Sequence, residues 1–397
     1  MRSQRKYSVC PAEVDAWTGS ILQQALHLQA HGRICTVPVL LKVLLFAAAC
    51  HATLHHACSR LRQAPCDQSV YNALNAWMPW MPELHRRLNR GLADRLPPAL
   101  RKRKRLPLVI DLCDRPYYGQ PQRYRWELCR RKRQRGTTRF HCLATLYLPL
   151  HGHRFTLALL YVRRDTSHVQ VLRTLLEQVR SLGLWPRYLL LDRGFYSVAV
   201  IQYLRSVRCP FLLPVVHQGR RSDKPLDQLA GTRRFLAWKR SGWSRHVMQQ
   251  HNRTDQVPVK ICVCRVPQRG GGRKTLVFAY GGFTPQSPAW VAQEYRRRFG
   301  IESSYRQMNQ ARAWTTSRSP RLRLLLTGIG LILRNVWVWL HEQVLGRVRG
   351  RGVELHPERL RLRSMLLMLQ HRAEDALGRA EDAQGPGPTR LPPAAGP

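Results

Sequence analysis

Two short apolar runs, each stopped by an aspartate, constrain this chain more than any other feature. Leu106-Pro-Leu-Val-Ile110 leads into Asp111, and Tyr188-Leu-Leu-Leu191 leads into Asp192. A strand that is apolar on both faces must be covered on both, which places it in the middle of a sheet flanked by helices. The neighbouring segments supply such a layer. Phe140–Leu150 and Phe155–Val162 read as a hairpin closed at His151-Gly-His153. Asp165 or Thr166 caps a helix that carries Val169, Leu172, Leu175, Leu176 and Val179 on one side. A helix from Tyr196 to Ser206 and a strand from Phe211 to Val216 follow.

The rest of the chain divides around this α/β core. Residues 1–100 read as helical, with Thr36 capping a helix whose first turn holds Pro38 and which continues toward Arg62. Asp67 caps a shorter helix, Ser69 to Trp77, that exposes Gln68, Ser69, Asn72 and Asn75. The pair is either a helix-turn-helix DNA reader or part of an ordinary helical bundle. After the basic linker Arg101–Arg105, residues 106–216 form the first part of the core, and residues 217–287 are a β-rich insertion with strands at Val257–Val266 and Thr275–Tyr280. Residues 288–345 return to helix, 346–371 extend it, and the Gly-, Pro- and Ala-rich stretch 372–397 is expected to be disordered.

Charge narrows the partner. The 66 Lys and Arg against 23 Asp and Glu leave a formal charge of +43. Nothing compact carries such an excess at low salt without polyanions or counterions, and nucleic acid is the leading candidate, although arginine richness also follows from a GC-rich genome. A membrane partner is not expected, because the basic residues are spread through the folded sequence. Val37–Cys50 is broken by Lys42 and Leu324–Leu333 ends at Arg334, both short of the roughly 20 residues of a bilayer span. Eleven cysteines without a recurring spacing, and an N-terminus without an apolar stretch, point to a reduced, cytoplasmic protein.

The chemistry centres on Tyr295 to Asn309. Helical spacing puts Tyr295, Arg298, Glu302, Arg306 and Asn309 on one side. A carboxylate among arginines is either a salt-bridged surface or a metal ligand beside bound phosphate. Asp111 and Asp192 favour the metal. Acids at the carboxyl ends of central strands project into the crevice where α/β sheets bind ligands. If the two strands are neighbours, both carboxylates reach one divalent ion and Glu302 completes a two-metal site of hard oxygens, which select Mg²⁺ or Mn²⁺. The plainer alternative is that each aspartate forms a turn or caps a helix. Asp114 lies close enough to act as a supporting partner of Asp111.

These residues carry a resemblance. Val-Ile-Asp111-Leu-Cys-Asp-Arg-Pro-Tyr-Tyr-Gly119, Leu-Leu-Leu-Asp192-Arg-Gly-Phe195 and the Tyr295, Arg298, Glu302 spacing, followed by Thr315-Thr-Ser and Leu333-Arg-Asn335-Val-Trp, resemble a DDE transposase of the IS4-type insertion-sequence superfamily, nearest the ISH3-like group. The resemblance spans residues 105–345. It implies an RNase H-like mixed sheet flanked by helices, with the β-rich insertion between the second Asp and the Glu and the helical domain in front.

It further implies that Asp111, Asp192 and Glu302 bind two Mg²⁺ or Mn²⁺ ions, cleave double-stranded DNA at transposon terminal inverted repeats, and join the freed 3′-hydroxyl to target DNA. A homodimer in the synaptic complex is part of the same implication. Tyr295, Arg298 and Arg306 would contact terminal phosphates. Asn309 stands where the family's signature has a lysine, a contact that Arg306 or Arg312 could replace. Trp238 and Trp243, within the insertion, are candidates for stacking on a displaced base, or else core residues of a β module. The competing readings are a DNA-binding derivative without catalysis and a nuclease of the same fold without strand transfer.

Overall fold

The first apolar run becomes β1 (Arg105–Pro116), and Leu108, Val109 and Ile110 are completely covered. The second becomes β5 (Trp185–Leu190), parallel to β1 with Leu108 opposite Leu189 and Val109 opposite Leu190. The computed structural model describes residues 8–150, 153–218, 231–250, 254–268, 270–299, 310–349, 352–354 and 358–380. On the other side of β1 lies β3 (Thr137–Leu150), antiparallel, bordered by β2 (Cys129–Gln134) and β4 (His153–Val162). The connection α7 (His168–Ser181) leads to β5, and α8 (Val198–Ser206) leads to β6 (Phe211–Pro214), parallel to β5. The order β4-β3-β1-β5-β6, three antiparallel strands followed by two parallel ones, is that of an RNase H-like core.

One expectation needs correction here. β1 does not stop at Asp111: parallel pairing with β5 ends at Val109, but the antiparallel ladder to β3 continues as far as Pro116 opposite Phe140. The β-rich insertion is part of the same sheet. β7 (Gly242–Gln249), β8 (Gln256–Pro267) and β9 (Arg273–Gly281) continue the same sheet, because β9 pairs along the free edge of β6 from Phe211 opposite Gly281 to Pro214 opposite Phe278. An unpaired strand edge is costly to leave open, and the insertion closes it.

The opposite edge, β4, is closed by side chains. The Thr156 N–H donates to Asn335 Oδ1 at 2.9 Å, the Leu159 N–H to Asn89 Oδ1 at 2.8 Å and the Tyr161 N–H to His85 Nε2 at 2.8 Å. Asn335 lies on α10 (Pro320–Leu340), and Asn89 and His85 lie on α5 (Met81–Asp94). Asn335 Nδ2 also donates to Leu92 O and Thr156 O, at 2.9 and 2.7 Å. The N-terminal helices α1 (Pro11–Leu26), α2 (Val37–Ala49), α3 (Leu54–Arg60), α4 (Asp67–Trp77), α5 and the short α6 (Pro98–Arg101) therefore share one apolar core with the sheet.

Local chemistry explains most boundaries. The expected run from Thr36 toward Arg62 breaks after Ala49, where His51 takes a left-handed φ of 53° before Thr53 caps α3 by accepting from the His56 N–H. By length and composition Pro320–Leu345 could cross a bilayer, but its most apolar stretch is 94% buried inside the protein, as a core helix is. The extension beyond it is not purely helical: a hairpin of β10 (Arg347–Arg349) and β11 (Gly352–Glu354) precedes α11 (Leu362–Leu377). That helix runs past the expected limit at residue 371 because Met365, Leu366, Leu369, Ala373 and Leu377 face the core. Arg379 then bridges to Leu61, so residues 372–380 are ordered.

Candidate active site

The site is built where α9 (Pro288–Phe299) lies across the ends of β1 and β5. Its inward positions follow the helical repeat, and each is tied to the sheet. Val291 packs among Tyr188, Leu190 and Phe278. The Tyr188 hydroxyl donates to Glu294 Oε1 at 2.7 Å, with Glu294 only 3% exposed. The Tyr295 hydroxyl donates to Leu191 O at 3.1 Å. One turn on, Arg298 Nη1 donates to Asp111 Oδ1 at 3.3 Å and Nη2 to Asp192 Oδ1 at 3.4 Å.

The two acids thus meet on one guanidinium. Asp111 is the second residue beyond the last parallel pair of β1 and β5, and Asp192 is the second beyond the end of β5, so neighbouring strands deliver both carboxylates to the same end of the sheet. The bland role for Asp192 fails. It precedes a turn of 3-10 helix at Arg193–Phe195, yet its side chain makes no capping bond. Side-chain exposure is 13% for Asp111, 11% for Arg298 and 45% for Asp192, so the pair is covered from the Asp111 side and open at Asp192.

Electrostatics follows from this placement. Burial works against the charge of Arg298, but Tyr295, Asp111 and Asp192 outweigh it and its pKa is raised. Burial raises that of Tyr295 as well, and its ring lies under the Arg298 guanidinium at 5.3 Å. Two carboxylates held on one cation are a hard-oxygen donor pair, which suits a small divalent ion better than a soft metal. Among the described residues no three His, Cys, Asp or Glu side chains cluster as a metal site; Glu302 lies outside the described residues, as do Arg306 and Asn309.

The remaining predicted residues separate. Tyr295 is 4% exposed and holds α9 to β5, so the phosphate contact expected of it is not what its position supports. Asp114 alternates to the opposite side of β1, where it accepts from Cys142 Sγ at 2.8 Å and pairs with Arg131 at 3.5 Å; it does not support Asp111. Trp238 packs with Phe235 at 6.0 Å in one core layer, while Trp243 meets Tyr280 at 5.4 Å on the other and is 42% exposed. Three strands separate β7 from β5, about 19 Å at the usual interstrand spacing. Sequence reasoning missed Tyr188 and Glu294, whose bond needs residues 106 apart in the chain. A glutamate one residue before Tyr295 on an otherwise basic helix was the only signal.

A family model described as transposase DDE domain matches residues 105–335, more than half of the chain, from the start of β1 to Asn335. No curated protein matches the sequence. Among solved structures, the piggyBac transposase synaptic complex with hairpin DNA is similar over 93% of this chain and 79% of that one, at 10% identity and a TM-score of 0.47.

Proposed function

The chain belongs to the transposase DDE domain family, and from that premise we propose that it cleaves phosphodiesters at the ends of a mobile DNA element and joins the freed 3′-hydroxyl to target DNA. The observation that carries the proposal is the convergence of Asp111 and Asp192 on Arg298. A family match alone assigns no residue; the meeting of two acids from adjacent strands at one cation is what supports Asp111 and Asp192. The spacing of Tyr295, Arg298 and Glu302 keeps the IS4-type placement as the finer reading, with Glu302 as third acid.

Asp111 and Asp192 would hold divalent Mg²⁺ or Mn²⁺, which when bound supplies charge stabilisation for the scissile phosphate and an activated water or hydroxyl. The chain's own contribution is positioning. Asp111 is fixed by the antiparallel ladder to β3, where it stands opposite Thr145, and Asp192 is left open for approach. α9, pinned through Glu294 and Tyr295, keeps Arg298 beside both acids, so a guanidinium released from them is already placed to take a phosphate oxygen in its fork. The net charge of +43 supplies the sequence-independent attraction to duplex DNA.

The test uses duplexes carrying the DNA that borders the coding region, incubated with the protein and Mg²⁺ or Mn²⁺. Nicked and end-joined products are expected from the natural chain, and Glu302→Gln is expected to bind but not cleave. Binding without any metal-dependent cleavage would favour the second reading, a DNA-binding derivative, for which Asn309 in place of the signature lysine is the specific sequence observation. Cleavage without joining would instead identify a nuclease.

A further inference from the structure

Beyond Asp111, the same face of β1 enters a second pocket with the opposite chemistry. Cys113 and then Arg115 follow Asp111 at alternate positions, the latter about 14 Å further along the strand. The pocket has a volume of about 770 Å³ and lies between the end of β1, the β2–β3 turn, the α2–α3 corner and the segment 312–316. That volume falls within the range of small-ligand sites, roughly 300–1,000 Å³, and is too small to admit a duplex.

Its lining is cationic, aromatic and unusually constrained. Arg115, Arg135, Arg312 and Arg323 reach it from four separate segments. Arg312 is half-buried, its Nε has no hydrogen-bond partner among the described residues, and its pKa is pushed down to about 9 by burial and then by Arg115. Asp114, the only carboxylate among the described residues of the lining, is already paired with Arg131. Two aromatic rings stand at the mouth, Tyr118 at 70% and Trp314 at 49% exposure. Trp314 is held by its N–H donating to Ala52 O at 2.7 Å, and the Tyr118 hydroxyl donates to Arg135 O at 2.6 Å. Of the four non-glycine residues with left-handed backbone among those described, His51 and Arg135 both line this pocket.

An independent observation comes from His141, which is 2% exposed and lies in the same lining. The Tyr161 hydroxyl donates its proton to Glu127 O at 2.8 Å, so the 2.6 Å contact between Tyr161 and His141 Nδ1 requires Nδ1 to be the donor. Burial, then Arg323, pushes the pKa down to about 3, so the ring is neutral. Nε2 is therefore an acceptor, buried and without a partner among the described residues. A ligand that satisfies this pocket must carry a negative charge for the arginines, a flat apolar face for the rings, and an N–H or O–H for Nε2.

We infer that the pocket takes one unpaired nucleotide, with its phosphate on the arginines, its base against the exposed rings of Tyr118 and Trp314, and one of its N–H or O–H groups donating to His141 Nε2. This rests on the DNA reading above only in choosing a nucleotide over another phosphate ester. Stacking of a base on an aromatic side chain is sequence-tolerant and worth about 1–3 kcal/mol, so the pocket selects unpaired from paired strands and not one base from another.

The test compares a single strand of roughly a dozen nucleotides with the duplex of the same sequence, using full-length protein. Tyr118→Leu with Trp314→Leu, both at exposed positions, should weaken single-strand binding about tenfold or more and leave duplex binding unchanged. Photocrosslinking of 5-iodouracil in the single strand should mark the peptides containing Tyr118 or Trp314. Crosslinks confined to other peptides, or a variant that keeps single-strand affinity, would overturn the inference while leaving cleavage by the acid site untouched. Equal loss for both substrates would show a duplex-backbone contact instead and would also overturn it. Failure of the natural chain to bind either substrate would overturn both this inference and the DNA reading.

Discussion

The acid corner and the arginine pocket occupy one face of one strand, four residues apart, yet they were assembled differently. At the corner, opposite charges satisfy each other: Arg298 joins Asp111 and Asp192 at 3.3 and 3.4 Å. In the pocket like charges gather, and the burial of Arg312 and Arg323 lowers both pKa values. At the corner the chain supplies its own counter-ion, which under the proposed function a divalent cation would displace. The pocket gathers arginines around an acceptor that has no partner among the described residues, and by the inference above a nucleotide would complete it. The fold tolerates the second because the tight ladder of β1 and β3 holds its floor.

Breaking the corner gives the largest expected change in stability. Arg298→Ala leaves two carboxylates facing each other at a mostly covered site, for which loss of a buried partner costs about 3–5 kcal/mol, less here because Asp192 is partly solvated. Thermal unfolding should show the loss, and millimolar Mn²⁺ should restore more stability to the variant than it adds to the natural chain. An equal Mn²⁺ shift in both would argue against a cation site at the acids.

Gly330→Ala strikes the pocket and spares the corner. A Cβ at Gly330 would stand 2.8 Å from Ala311 O, backbone that carries Arg312 and Trp314. Overpacking of this kind costs about 1–3 kcal/mol. Single-strand binding should weaken with the melting temperature, while metal-dependent cleavage per folded molecule is retained. Loss of cleavage in proportion would mean that the two regions are not separable.

The pH dependence of the pocket has a defined sign. His141 titrates at about 3 in the folded chain against a reference of 6.5, so the unfolded chain binds the extra proton between these values. Its contribution is fully present above pH 6.5 and is lost as pH falls toward 3, at roughly 1.4 kcal/mol per pH unit. His141→Gln should flatten the stability profile across that window. An unchanged slope would show that other groups set it. The smallest effect is expected from Trp243→Ala: at an exposed position about 19 Å from β5, it should leave cleavage of pre-nicked ends near the natural rate, and a large loss would return that tryptophan to the DNA path.

The difference between the regions also marks what could be read in advance. Uninterrupted apolar runs announce covered central strands, so β1, β5 and the acids beside them were legible, as was the buried helix at Pro320. Pairing is not written locally. Nothing near Asp111 shows that β3 carries β1 on to Pro116, or that β9 finds the free edge of β6, because register depends on partners far along the chain. Tyr295 looked like part of a polar helix face since its neighbours are arginines, but the sheet end offered the Leu191 carbonyl and the ring was buried. The pocket was the least legible feature. Arg115 and Arg312 lie 197 positions apart, and His141 becomes an acceptor only through the proton that Tyr161 gives to Glu127.

The central claim, that Asp111 and Asp192 form the metal-dependent centre of a DNA-cleaving enzyme, is tested most directly by the cleavage rate of Asp192→Asn on element-end duplex in Mg²⁺, measured alongside duplex affinity. The account predicts a fall in cleavage on the order of 10³-fold with affinity unchanged. Cleavage at the natural rate would contradict it.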